Sequence, residues 1–241
     1  MNGRAPDNPP DVAAATLACL RTSIDALLVE IKAMDEWRQL TEPSADPQRV
    51  RAILREVYRE VALYQPDVIE ATIAVIGQFP RSLAAKQVRT MLIHQSEEWD
   101  HGEMAARDFV AMGGDEREVR GQLMTHTAFA TAAFWRMLAH KRLPFAYLGA
   151  LYLFEGLTPI VTGLLKGSLS SQGYTPDGME YVEFHATEDI KHAKVVDHLI
   201  LQTVRQYPHC ADEIIFGFKA FRHVYPLPGW KDAVKRAGES R

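Results

Sequence analysis

The sequence predicts an all-α protein, built as a bundle of seven or eight helices. Two observations support this fold class. Along most of the 241 residues, apolar side chains recur every three or four positions, which is the spacing of a helix that buries one face. Stretches that alternate apolar and polar residues between tight-turn signals, the pattern of half-buried strands, do not occur in the sequence.

Four helices are predicted in the first half of the chain, over residues 11–40, 48–64, 67–77 and 82–112. The segment 41–47 combines proline with small polar residues, as linkers do. Pro66 stands where a first-turn proline belongs, so we expect it to open the third helix. Phe79-Pro80 and Gly113-Gly114 should end the third and fourth helices.

Four further helices are predicted over residues 116–141, 145–169, 179–207 and 210–222, the first with a break near 124–127. The chain is then expected to have three parts: an N-terminal extension with one helix over residues 1–45, a helical domain over 46–225 and an irregular tail over 226–241. Pro226, Pro228 and Gly229 predict the irregular tail, because proline and glycine interrupt regular structure.

Composition excludes several classes of protein. The 27 Lys and Arg residues against 31 Asp and Glu give a net charge of −4, whereas nucleic acids and anionic membranes select for a basic face. Cys19 and Cys210 lie near opposite ends and in no metal-binding motif, which fits a reducing cytoplasm. The N-terminus lacks the apolar region of a signal peptide, and charges or prolines interrupt each apolar stretch short of about 18 residues. We expect a cytoplasmic protein with no membrane partner.

The strongest chemical signal is the motif H-A-T-E-D-I-K-H at residues 185–192. On one helix, His185, Asp189 and His192 would share a face, because they are spaced i, i+4 and i+7. Two imidazoles and a carboxylate on one face can bind a divalent metal ion, and non-haem iron uses the same ligand types.

A second signal lies in E-E-W-D-H at residues 97–101. Glu98 and His101 form an E-x-x-H pair, which carboxylate-bridged di-metal bundles use on facing helices. Glu97 and His94 lie close to the same face and stay open as alternative ligands.

Two further carboxylates stand inside apolar stretches. Glu155 is surrounded in sequence by leucine, phenylalanine and isoleucine, and Glu70 stands among valine and isoleucine. Burying an unpaired carboxylate is unfavourable by several kcal/mol, so each needs a cation, a proton or hydrogen bonds. An arginine from another helix is the alternative partner for each.

Taken together, the donors are too many for one metal ion and suit two. A nitrogen and oxygen donor set without thiolate favours iron or manganese over structural zinc. The candidate metal ligands are Glu70, Glu98, His101, Glu155, His185, Asp189 and His192.

In this order, these motifs resemble those of the haem-oxygenase-like di-iron oxidases and oxygenases, the iron-containing redox enzyme family, including its fatty-acid decarboxylases and N-oxygenases. The resemblance covers residues 48–205 and implies a haem-oxygenase-like bundle. Haem oxygenase itself needs a histidine near the start of the domain, whereas the first histidine here is His94. Thiaminase-type relatives need a pocket cysteine, and Cys19 and Cys210 lie outside the motif helices.

The resemblance implies an enzyme that holds two Fe ions per chain and uses O2 as co-substrate. Its substrate would be a small amino-acid-like or fatty-acid-like metabolite, oxidised at C–H, oxygenated at nitrogen or cleaved at C–C in specialised metabolism. A non-catalytic metal-binding protein and a mono-metal or cofactor-independent enzyme are the alternatives. The resemblance leaves open whether the enzyme uses an external electron donor and whether it forms a homodimer.

Overall fold

The computed structural model describes residues 11–121, 123–171, 173 and 177–239. These residues form twelve α-helices, one 3₁₀ turn at Pro208–Cys210 and no strand, which confirms the predicted all-α class. The helices are α1 Val12–Ala33, α2 Asp35–Thr41, α3 Pro47–Ile76, α4 Ala85–Glu97, α5 His101–Ala111, α6 Arg117–Arg120, α7 His126–Lys141, α8 Pro144–Ser171, α9 Glu180–His185, α10 Asp189–Gln206, α11 Ala211–Arg222 and α12 Leu227–Glu239.

The long helices α3 and α8 organise the bundle. α8 packs against α9, α10 and α11, while α3 packs against α5, α7 and α12. The contact between α8 and α11 is close enough to require glycine on both helices. A Cβ atom at Gly149 would lie 1.8 Å from the carbonyl oxygen of Ile214, and one at Gly217 would lie 1.9 Å from that of Ala146.

The prediction of a helix boundary at Pro66 is wrong, because α3 runs through this proline without a break. Proline cannot donate to the carbonyl four residues earlier, so it removes one backbone hydrogen bond. Packing offsets this loss: a Cβ atom at Gly102 of α5 would lie 3.1 Å from Cβ of Gln65 and 3.6 Å from Cδ of Pro66. Packing against α5 therefore stabilises α3 at the position where proline removes a backbone hydrogen bond.

Two predicted long helices are each divided within a motif. The predicted helix 82–112 becomes α4 and α5, separated by residues 98–100. The predicted helix 179–207 becomes α9 and α10, separated by residues 186–188. The motifs at residues 97–101 and 185–192 therefore each span the end of one helix and the start of the next.

The two ends of the described chain pack onto the core. Leu17, Leu20 and Ile24 of α1 are buried in the same hydrophobic core as α3 and α8, and the division at residue 45 stays a prediction. The predicted irregular tail is wrong, because residues 227–239 form α12. Proline near the start of this helix is tolerated, since the first turn needs no backbone donor there. Arg236 anchors α12 through its ion pairs with Glu56 and Glu60 of α3.

By length and composition alone, α1 and α8 could cross a membrane. In α8, 72% of the most apolar window is buried inside the bundle, compared with 33% in α1. Burial in the protein core accounts for the composition of α8. Two such helices are weak evidence for a membrane protein, because the core helix of a globular protein meets the same criteria.

Candidate metal centre

The ends of four helices and the middle of α8 bring histidines and carboxylates to one place inside the bundle. Glu98 follows α4, His101 begins α5, His185 ends α9 and Asp189 begins α10. The donor residues are all buried, each with at most 8% of its surface exposed: His94, Glu98, His101, Glu155, His185, Asp189 and His192.

A first group of donors consists of His94, Glu98, Glu155 and His192, whose ligand atoms lie within 4.8 Å of one another. Nε2 of His94 is 3.2 Å from Oε1 of Glu155. Nδ1 of His192 is 3.2 Å from Oε1 of Glu98 and 3.5 Å from Oε2 of Glu155. Two imidazoles and two carboxylates at this spacing could hold one metal ion.

A second group consists of Glu98, His101 and His185. Nδ1 of His101 is 2.6 Å from Oε2 of Glu98 and 3.1 Å from Nε2 of His185. Nδ1 of His185 lies 2.6 Å from the carbonyl oxygen of Tyr181, which leaves Nε2 facing the other donors. Because Glu98 belongs to both groups, one carboxylate connects the two.

Asp189 adjoins the first group. Its Oδ1 lies 3.4 Å from Nδ1 of His192, the same nitrogen that faces Glu98 and Glu155. Burial raises the pKa of Asp189 to about 7; the contact with His192 opposes this rise, and the charges of Glu155 and Glu98 add to it.

Several of these atoms have no hydrogen-bond partner of good geometry among the described residues. Buried polar atoms in folded proteins are almost always hydrogen-bonded, because leaving them unpaired is unfavourable. A metal ion would satisfy oxygen and nitrogen lone pairs that point at one another, so the donor chemistry fits such an ion. The unpartnered atoms are Nε2 of His94, Oε1 of Glu98, Nε2 of His101, Oε2 of Glu155, Oδ1 of Asp189 and Nδ1 of His192.

The charges of the centre displace the pKa values of its histidines in opposite directions. Burial lowers the pKa of His192, but Asp189, Glu155 and Glu98 raise it by more, to about 12. His101 is also raised above its ordinary pKa, mainly by Glu98, despite the opposing effect of burial. His185 is lowered to a pKa of about 4 by burial and by the charge of neighbouring His101.

Glu70 does not join this centre, so the prediction that it faces the other donors is wrong. Its side chain is 65% exposed, and Oε2 lies 2.6 Å from Nη2 of Arg136. The buried face of α3 instead presents Gln65 and Thr72, which border the space beside Glu98. Glu70 lies outside this face, and the arginine pairing left open by the sequence is the one observed.

The choice between His94 and Glu97 is resolved by burial. His94 is 3% exposed and takes part in the first group, whereas the side chain of Glu97 is 56% exposed. In the sequence, the i, i+4, i+7 spacing of His94, Glu98 and His101 is the signal that favours His94, because residues at this spacing share a helix face. Oε2 of Glu97 lies 3.3 Å from Nε2 of His192, on the side of the imidazole opposite the donors.

The partners of Glu155 are two histidines of the first group. Among the described residues its charged neighbours within 4 Å are His94 and His192, and no arginine is among them. The negative charge of Glu155 therefore lies beside groups that are themselves candidate metal ligands.

The model of a protein family described as iron-containing redox enzyme matches residues 55–225, which is more than half of the chain. The chain belongs to the iron-containing redox enzyme family. The matched segment contains all seven predicted ligands and His94.

Solved structures extend the comparison to the fold of this iron-containing redox enzyme family member. A domain of unknown function with a haem-oxygenase-like fold from Shewanella denitrificans OS217 is 20% identical over 91% of this chain and 92% of its own, with a TM-score of 0.76. A TenA homologue from Pseudomonas syringae pv. tomato DC3000 is 12% identical over 97% of this chain and 100% of its own, with a TM-score of 0.66. The predicted haem-oxygenase-like fold is confirmed. No curated protein matches the chain significantly.

The environments of the two cysteines bear on whether a nucleophilic thiol lies at the centre. Cys19 is exposed on α1, and Cys210 is buried. Burial raises the pKa of Cys210 to about 12, so its thiol stays protonated and unreactive at neutral pH. Neither cysteine lies among the donors of this iron-containing redox enzyme family member.

Proposed function

We propose that the protein is an O2-activating non-haem di-iron oxidase or oxygenase that acts on a small metabolite. The observation that carries this proposal is the position of Glu98 between two groups of buried donors. A carboxylate has two oxygens and can contact two cations, so the geometry suits a carboxylate-bridged pair.

The ligand set suits iron that changes oxidation state. Three buried carboxylates, Glu98, Glu155 and Asp189, supply negative charge that favours the more oxidised ions. When bound, two ferrous ions would supply the electrons that reduce O2. His94 and His192 would hold one side of the pair, and His101 and His185 the other.

The spacing of the imidazoles supports a non-haem centre. The ring centroids of His94 and His192 are 4.7 Å apart, and those of His101 and His185 are 4.6 Å apart. The free space bordered by Glu98 and Glu155 measures about 10 Å³, room for roughly one water molecule. A haem macrocycle does not fit between side chains at these distances.

The proposal includes a cytoplasmic location and an external electron donor that returns the iron to the ferrous state. Both cysteines are unpaired, as expected in a reducing compartment.

The reaction of the Fe(II)-loaded protein with O2 tests the proposal. We expect rapid O2 uptake and a transient change in visible absorption when the anaerobically loaded protein is mixed with O2. Glu98→Ala and His185→Ala should abolish both, and Glu70→Ala, which lies outside the centre, should react normally. Slow, featureless oxidation at the rate of free Fe(II) would instead indicate a metal-binding protein without this activity.

A further inference from the structure

An apolar cavity of about 90 Å³ lies beside the metal centre, between α2, α3, α8, α9 and the start of α12. A buried water molecule needs about 10–15 Å³ of such space, so the cavity has room for on the order of six to nine water molecules. This volume suits a compact molecule of about one ring.

Three tyrosines lie between the cavity and the metal centre. Tyr181 lines the cavity and stacks on the ring of His185, with centroids 3.8 Å apart. Tyr225 also lines it and stacks at 4.8 Å on Phe154, the residue before Glu155. The ring of Tyr64 meets that of Tyr225 edge to face at 6.5 Å. The ring of Tyr181 would therefore separate a molecule in the cavity from the imidazole of His185.

Each of these tyrosines carries a phenolic hydroxyl, which can both donate and accept a hydrogen bond. Burial raises the pKa of Tyr225, with Thr158 acting in the opposite direction through a hydrogen bond, so this hydroxyl keeps its proton at neutral pH. The inner wall of the cavity is thus uncharged, and it combines an apolar surface with hydroxyl groups.

The remaining lining offers nothing to balance a charged ligand. Among the described residues, the cavity is lined by no lysine, arginine or histidine, and Glu60 is its one carboxylate. Both oxygens of Glu60 are already in use, since they accept hydrogen bonds from Thr125, Thr127 and Arg236. An anionic ligand would be buried without a counter-charge, which is strongly unfavourable.

We propose that this cavity is the substrate pocket and that it takes a neutral, single-ring molecule of phenol type, with its polar group against the tyrosines. Its role as a substrate pocket rests on the proposed function. The proposal departs from the amino-acid-like or fatty-acid-like substrate class expected from the sequence, because molecules of both those classes carry charged ends.

The outer wall of the pocket comes from parts of the chain beyond the family-matched segment 55–225. Trp37 of α2 and Trp230 of α12 both line the cavity, and their rings stack with centroids 5.8 Å apart and planes 22° apart. The two terminal regions therefore contribute to the size of the ligand that the pocket accepts.

Calorimetric titration of the metal-free protein tests the pocket without requiring iron chemistry. The probes are 4-ethylphenol, its anionic analogue 4-ethylbenzoate and its cationic analogue 4-ethylbenzylamine, at neutral pH. We expect 4-ethylphenol to bind at least tenfold more tightly than either charged analogue. Absence of binding, or equal or tighter binding of a charged analogue, would overturn the proposal.

Two leucines of α8 provide a matched pair of variants. Leu165 is buried and lines the cavity, whereas the adjacent Leu164 is 40% exposed. Leu165→Phe should weaken 4-ethylphenol at least tenfold while iron loading is retained, and Leu164→Phe should leave binding unchanged. Unaltered binding in Leu165→Phe would place the probe elsewhere and contradict the proposal.

If Leu165→Phe does not fold, Trp230→Ala decides the question at the outer wall. Removing this ring should shift the affinity ratio of 2-naphthol to 4-ethylphenol at least fivefold toward 2-naphthol, and an unchanged ratio would contradict the proposal. If the probe binds but the iron-loaded protein takes up no O2, the proposed function is wrong and the assignment of the pocket stands. If the iron-loaded protein takes up O2 but no probe binds, the assignment of the pocket is wrong and the proposed function stands.

Discussion

Glu98, in the turn after α4, faces His192 of α10, with Oε1 of the carboxylate 3.2 Å from Nδ1 of the imidazole. The other oxygen of Glu98, Oε2, lies 2.6 Å from Nδ1 of His101. One buried carboxylate therefore reaches into both groups of donors. Glu98 itself is the first residue of the turn at residues 98–100 that separates α4 from α5.

The first prediction separates the two groups by their iron content. Glu98→Ala should lose both ions because it removes the shared ligand, whereas His192→Ala and His185→Ala should each lose about one. The measurement is iron per chain by elemental analysis after anaerobic loading. His198→Ala is the matched control, because His198 is exposed on the same helix as His192 and should keep full loading. Full loading in Glu98→Ala would contradict the assignment.

The second prediction is that a change at Glu70, unlike one at Glu98, leaves the iron content unchanged. Its carboxylate pairs with Arg136 at the surface, and exposed ion pairs contribute only about 0.2–1 kcal/mol. Glu70→Gln should therefore leave iron loading unchanged and lower the free energy of unfolding by no more than about 1 kcal/mol. Elemental analysis and urea denaturation check the two parts. Loss of an iron ion in this variant would restore Glu70 to the ligand set.

The crossing of α8 and α11 yields a third prediction, about stability. Gly149→Ala would place a methyl group 1.8 Å from the carbonyl oxygen of Ile214, so one helix must move. We expect a loss of at least about 3 kcal/mol, the upper end of what overpacking usually costs. Gly163→Ala on the same helix meets nothing within 4 Å and should be neutral or stabilise by about 0.5–1 kcal/mol. Equal thermal stability of the two variants would disprove the close crossing.

The fourth prediction concerns pH. In the metal-free protein the pKa of His192 is raised to about 12, so this imidazole holds a proton at neutral pH, and the pKa of His101 is raised too. Metal ions bind the unprotonated imidazole, so loading must release protons. The apparent affinity for Fe(II) should therefore increase from pH 6 to pH 8. His185, with a pKa of about 4, is already neutral and should release none.

Anaerobic calorimetry in two buffers of different ionisation enthalpy measures this release. We expect at least one proton per chain. An affinity that does not change with pH, together with no proton release, would contradict the arrangement of carboxylates around these histidines.

The sequence predicts the fold class because helical periodicity is strong along nearly the whole chain. Boundaries that depend on tertiary contacts could not be predicted in the same way. Pro66 reads locally as a helix start, yet packing against Gly102 of α5 keeps α3 continuous. Pro228 reads as a breaker, yet it lies in the first turn of α12, where a missing N–H is tolerated.

The site residues, like the helix boundaries, could be predicted only where the local sequence determines their environment. Glu155 could be placed in the interior because apolar residues surround it on every side of its helix. Glu70 has apolar neighbours too, but its helix buries only part of its circumference, and the sequence does not show that Glu70 lies on the exposed part. The turns at residues 98–100 and 186–188 carry no proline or glycine, so their sequence gives no signal of a helix end.

The central claim is that two metal ions lie on either side of Glu98. Anomalous diffraction at the iron absorption edge, from crystals of the anaerobically loaded protein, tests it most directly. The account predicts two peaks, one against each oxygen of Glu98, the first near His94 and His192 and the second near His101 and His185. A single peak, or peaks away from Glu98, would contradict it.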